Sequence, residues 1–263
     1  MKAMKLLTIV TTLVLVTATA ARAHWSPGDP AKYEQLPELI SLTNLSVRAT
    51  DPKILADDFP CKWTAPVTGI HVWGSWYGDL TPDLANLSFR LSIFADVTAA
   101  ENPSGYSKPG AELWAQTFDS ASYTQSVYME SSSLMFDPNT GQFLADYHTW
   151  VYEYNFGVDA ATAFVQQGTT TAPEVYWLGV SAILSGNDAD KIFGWRNSDD
   201  PWNDTAVYGH LAAGAPVGDW APILIPGVPD RPIDLAFVIT PEPATLALMG
   251  LGLGGLLARR RRK

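Results

Sequence analysis

The strongest constraint on the fold is an eleven-residue run, Leu87 to Val97, in which Leu87, Phe89, Leu91, Ile93, Ala95 and Val97 alternate with Ser88, Arg90, Ser92, Phe94 and Asp96. Successive side chains of an extended strand point to opposite faces, so this period of two gathers the apolar set on one face and buries it, whereas a helix would scatter it. The pattern recurs where Trp150, Tyr152, Tyr154 and Phe156 alternate with Val151, Glu153 and Asn155, and where Ile233, Leu235, Phe237 and Ile239 alternate around Asp234. Val175 to Leu184 is apolar on both faces, which predicts a strand in the middle of a sheet. Glycine and proline punctuate the intervals, as in Asn102-Pro103-Ser104-Gly105, Asp137-Pro138-Asn139-Thr140-Gly141 and Ser185-Gly186-Asn187-Asp188. With no sustained 3.6-residue stripe and no internal repeat, the expectation is an all-β chain folded as a single jelly-roll-like β-sandwich. The proline-bearing segment from His24 to Lys53 is expected to wrap it irregularly, with a short turn of helix near Leu36 to Leu42.

The two ends read differently. Lys2 and Lys5 precede an apolar stretch from Leu6 to Val16, and Ala21-Arg22-Ala23 has the small-x-small form of a signal-peptidase site, so residues 1–23 read as a signal peptide and the mature chain as starting at His24. At the other end Pro241-Glu242-Pro243 is followed by an uncharged, glycine-rich run from Ala244 to Ala258 and then by Arg259, Arg260, Arg261, Arg262 and Lys263. An uncharged run can cross hydrocarbon as a helix with its backbone groups paired, while the basic cluster stays on the cytoplasmic side. Its 15 residues fall short of the roughly 17–25 of a comfortable span, which suits a temporary anchor. A turn before an ordinary anchor is the plainer alternative for the prolines. The order Pro-Glu-Pro, short apolar helix, arginine cluster resembles the PEP-CTERM sorting signal. The resemblance implies recognition and tail removal by a membrane protease of the exosortase type, with residence first at the inner membrane and then at the cell surface or in the extracellular matrix.

Between these ends lie 217 residues, His24 to Thr240, a length that one all-β domain can use. They carry 9 basic against 26 acidic residues, a formal net charge of −17 that the basic ends conceal in the whole-chain value of −10. Such a charge argues against nucleic acid or an anionic membrane as partner and favours cations. Cys61 is the sole cysteine, so no intramolecular disulfide forms, and burial as a small hydrophobe is its plainest role.

Two constellations stand out in the body. One is Leu55-Ala56-Asp57-Asp58-Phe59-Pro60-Cys61 with Gly69-Ile70-His71-Val72-Trp73-Gly74-Ser75-Trp76; the other is Phe193-Gly194-Trp195-Arg196-Asn197-Ser198 with Pro201-Trp202-Asn203-Asp204. With Asp137-Pro138-Asn139-Thr140-Gly141 and the terminal Asp234 to Ile239 they resemble, over roughly Trp25 to Ile239, an uncharacterised extracellular domain found in exported bacterial proteins, a resemblance that implies domain limits and export but no activity. Trp73, Trp76, Trp195 and Trp202 have the composition of a stacking platform for an extracellular polysaccharide, or else fill the core. Asp199, Asp200 and Asp204 are the candidate calcium ligands, although no cluster has EF-hand spacing and solvated turns explain them too.

For catalysis the sequence offers little: His24, His71, His148 and His210 belong to no Gly-x-Ser-x-Gly elbow, His-Glu-x-x-His helix or phosphate loop. A carboxylate pair such as Asp146 and Glu153 would suit a polysaccharide-active enzyme, as would copper held by an N-terminal His24. The expectation is a non-enzymatic surface or matrix protein of structural or binding role, with a carbohydrate-binding module as the alternative.

Overall fold

The computed structural model describes residues 25–40, 43–225 and 233–241. The signal peptide, Glu242 and Pro243, the apolar run 244–258 and the basic tail lie outside the described residues; of the sorting motif only Pro241 lies inside.

The regular elements among the described residues are strands, apart from three single turns of 3₁₀ helix. In chain order the strands are β1 (Tyr33–Gln35), β2 (Leu45–Arg48), β3 (Lys53–Cys61), β4 (Ala65–Pro66), β5 (Gly69–Trp76), β6 (Leu87–Val97), β7 (Lys108–Phe118), β8 (Tyr123–Asp137) and β9 (Gln142–Gly157). There follow β10 (Val165–Gln166), β11 (Glu174–Leu184), β12 (Phe193–Ser198), β13 (Val207–Ala212), β14 (Ala215–Pro216), β15 (Ala221–Pro222), β16 (Asp234–Leu235) and β17 (Phe237–Thr240). One sheet has the order β1-β17-β5-β9-β8-β2-β12-β16, and β12 also pairs with β5, so the sheet curls back on itself. The second runs β14-β13-β3-β11-β6-β7 with β15 on β13, and β10 pairs with β4 apart from both.

The main core fills the space between the sheets. Phe89 of β6 shows how: its ring meets Tyr154 at 4.8 Å, Phe193 at 5.1 Å and Phe156 at 5.4 Å, all from the opposite sheet. β6 coincides with the alternating run, and β11 sits between β3 and β6 as an interior strand.

Two expectations need correction. The alternation in β6 puts Ser92 and Phe94 in solvent, yet both are buried. The outer face of this sheet has a second core, in which Ile54, Ala56, Phe94, Trp177, Val207 and Leu211 lie under Trp220, and register shifts at Ile93/Phe94 and Phe94/Asp96 re-aim the end of the strand. The helical turn near Leu36 to Leu42 does not form over residues 36–40, where Pro37 bridges to Ser198 instead. That segment joins Trp25 and Ala31 in covering the outer face of the first sheet, where Trp25, Trp73, Val151, Ala236 and Val238 form a third cluster with Leu36, Leu39 and Tyr128 packed against it.

Candidate functional site

The residues with the most perturbed chemistry are acids that strand periodicity carries inward. In β3, Leu55, Phe59 and Cys61 enter the main core while Ile54 and Ala56 enter the outer one. Alternation therefore sends Asp57 toward the main core and Asp58 to the opposite face, and both are buried. Asp234 of β16 is buried beside them.

Each carboxyl ties a separate piece of chain. Asp57 Oδ2 accepts from Gln35 Nε2 at 2.8 Å and from the Leu235 amide at 2.6 Å, while its Oδ1 accepts from the Asp58 amide at 3.0 Å. Gln35 in turn accepts from the Tyr33 hydroxyl, and the Tyr33 ring stands edge-on to Trp202 at 6.0 Å. Asp234 Oδ2 accepts from the Trp202 amide at 2.6 Å. Asn203, held at a left-handed φ of 58°, donates its side-chain amide to Asp58 Oδ2 and, at 2.9 Å, to Asp204 Oδ2. The loop from Asp199 to Thr205 is thus pinned to β3 and β16 by two carboxyls, leaving Asp58 Oδ1 and Asp234 Oδ1 buried without a hydrogen-bond partner.

Loss of water is the main reason these acids hold protons. Burial drives Asp57 well above the ordinary carboxylate range, and the charges of Asp234 and Asp58 add to it against the two backbone amides. Asp58 is pushed up to about 8 by burial, opposed by the Asn203 hydrogen bond and reinforced by Asp204, Asp234 and Asp96. Asp234 rises to about 7 through burial, opposed by the Trp202 amide, with Asp204 and Asp200 adding to the rise. Burial, with Asp57, Asp234, Asp58 and Asp200 around it, also raises the Tyr33 hydroxyl, so it stays a donor. Chemically the cluster stores protons and clamps a loop.

The sequence-derived sites fare unevenly. The platform of Trp73, Trp76, Trp195 and Trp202 is not formed. Trp76 lies in the main core donating to the Tyr154 hydroxyl at 2.9 Å, Trp195 lies there donating to the Ala236 carbonyl at 2.7 Å, and Trp73 is buried on the other face under Trp25 and Tyr128. Internal acceptors for the ring N–H groups of Trp76 and Trp195 allow such large side chains to pack inside. Only Trp202 keeps part of its surface open. Nor are Asp199, Asp200 and Asp204 gathered as calcium ligands: among the described residues no three His, Cys, Asp or Glu side chains are placed to hold a metal. Asp199 and Asp200 instead border an open groove of about 560 Å³ with Leu36 to Ile40, while Asp204 turns to Asn203. Asp146 is exposed and accepts from the Tyr77 hydroxyl at 3.1 Å, whereas Glu153 is buried.

Sequence reasoning passed over Asp234 as a site residue. The signal was an acid flanked by apolar residues inside a strand pattern, Ile233-Asp234-Leu235, the same signature as Ala56-Asp57-Asp58-Phe59. A second buried polar group lies in the curled sheet: Arg196 donates to Ser131, Ser133 and the Glu38 carbonyl, and His148 Nε2 meets Ser46 and Ser133. Burial, then the nearby Arg196 charge, lowers His148 to about 4, so it stays neutral and structural.

Comparison with known proteins matches residues 31–240 to the family described as Domain of unknown function (DUF7901) and residues 240–263 to the PEP-CTERM protein-sorting motif. No curated protein and no solved structure matches.

Proposed function

We propose, for a chain that belongs to the DUF7901 family of domains of unknown function and ends in a PEP-CTERM sorting motif, an exported protein of structural or binding role at the cell surface or in the extracellular matrix. In this reading residues 24–240 form one jelly-roll-like unit, residues 1–23 are removed by signal peptidase, and an exosortase-type protease removes the tail. The observation that carries it is the order of parts: a body whose strand β17 completes the main core, with the sorting motif following directly. Replacing Pro241, Glu242 and Pro243 together by alanine should leave signal-peptide removal intact and the tail in place, read by intact mass of the membrane fraction from an exosortase-competent host. Tail loss at the normal rate from that variant would remove the sorting half of the proposal.

Carbohydrate binding is a second reading, moved away from the buried tryptophans. Phe143 and Tyr147 are exposed on β9, where they stand opposite Phe136 and Leu134 of β8 across a register shift, and so offer two neighbouring rings on which a sugar chain can stack. The body's acidity favours a neutral polysaccharide. Tyr147→Ala and Phe143→Ala should each weaken co-sedimentation with neutral extracellular polysaccharide, without change in melting temperature; binding that survives both substitutions would exclude this face.

A further inference from the structure

The sorting motif has no linker. β17 lies between two neighbours, with Ile239 paired to Tyr33 of β1 on one side and to Ile70 of β5 on the other. Its last rungs are complete: the Ile239 carbonyl accepts from the Lys32 amide at 2.7 Å, Thr240 pairs with Gly69, and the Thr240 carbonyl accepts from the Thr68 amide at 3.3 Å. Thr240 is buried, and Pro241 follows it at once. Only the three motif residues then separate this doubly paired strand from the apolar run that begins at Ala244, a reach of at most about 10 Å.

A cleft that takes a peptide in extended form does so through main-chain hydrogen bonds. Each residue has one N–H and one C=O to offer, and the carbonyls of Ile239 and Thr240 are already taken within the sheet. We infer that the fold masks the body side of the sorting motif, so that the processing protease gains it only when the end of β17 frays from β5 and β1. The inference rests on the sorting reading above. In the reaction one peptide bond is hydrolysed: its carbonyl carbon takes the hydroxyl of water, and the nitrogen, gaining the proton, leaves as the amine end of the tail.

Gly69 gives a handle on the fraying. A Cβ at this position would fall 2.1 Å from Thr240 Oγ1, so in Gly69→Ala the Thr240 side chain or the strand end that carries it must shift, which loosens the fit of β17 to β5. The test uses the full chain in an exosortase-competent host, with tail loss followed by pulse-chase and intact mass. A six-residue Gly-Ser insertion between Thr240 and Pro241 should raise the initial rate several-fold, Gly69→Ala should raise it in the same direction, and the same insertion at the Gly105 turn should not. Equal rates for the native chain and the junction insertion would overturn the masking while leaving the sorting reading in place. A tail kept by both chains would overturn the sorting reading itself, and a tail lost only from the insertion variant would be the strongest support for masking.

Discussion

At the scale of single residues, the buried acids make stability depend on protons in a direction opposite to that of salt-bridged carboxylates. Asp58 and Asp234 keep their protons in the folded body up to about 8 and about 7, while an unfolded carboxyl loses its proton near 4. The folded state therefore binds more protons across this interval. The stabilisation is complete below the unfolded value, declines as pH rises and is gone above the folded values. Melting temperature should fall between pH 5 and pH 8.5, and Asp58→Asn, which cannot ionise but still offers an oxygen to Asn203, should shrink the fall. An unchanged pH profile in that variant would mean that Asp58 is already ionised at neutral pH.

At the scale of elements, β6 separates what periodicity reports from what it misses. Leu91 points into the main core, so Leu91→Asp should cost several kcal/mol and unfold the body in thermal melts, whereas half-exposed Ser88 should accept Asp with little change. Ser92→Asp should behave like the damaging variant, because Ser92 is buried. A tolerated Leu91→Asp would show that the strand's register is wrong. The inner face of β6 was legible because its partners need only be apolar. The outer face was not, because the cover over Phe94 comes from Trp220, which is 126 positions away in a stretch with no periodic pattern of its own. The tryptophans misled for a related reason: a ring flanked by short polar residues looks the same whether its N–H finds water or, like Trp195, a carbonyl 41 positions distant. The acid cluster was half legible, since Asp57 and Asp58 adjoin in sequence while Asp234, about 180 positions on, joins them only through the pairing of β12 with β16 and the loop before it.

At the scale of the whole molecule, the segment ahead of β1 acts as a lid over a sheet face that would otherwise expose Trp73, Val151 and Val238. Trp25→Ala should remove about 3–5 kcal/mol, the usual cost of deleting a buried large aromatic. The same variant should shift tryptophan emission to longer wavelength as Trp73 meets water, and an unshifted spectrum with an unchanged melt would show that Trp25 is not docked. The placement of β17 also sets the order in which the molecule can be completed. Its neighbours β1 and β5 lie within the first 76 residues, while it is the last strand to be delivered. A chain that emerges from its amino end must hold a vacant slot between β1 and β5 until nearly all of it has crossed, and contacts of such separation form slowly. During that interval the slot would accept the same strand from another copy. An exchanged pairing is bimolecular, so it gains on closure within one molecule as chain concentration rises. Refolding at high chain concentration should accordingly yield more exchanged dimers on gel filtration than refolding at low concentration.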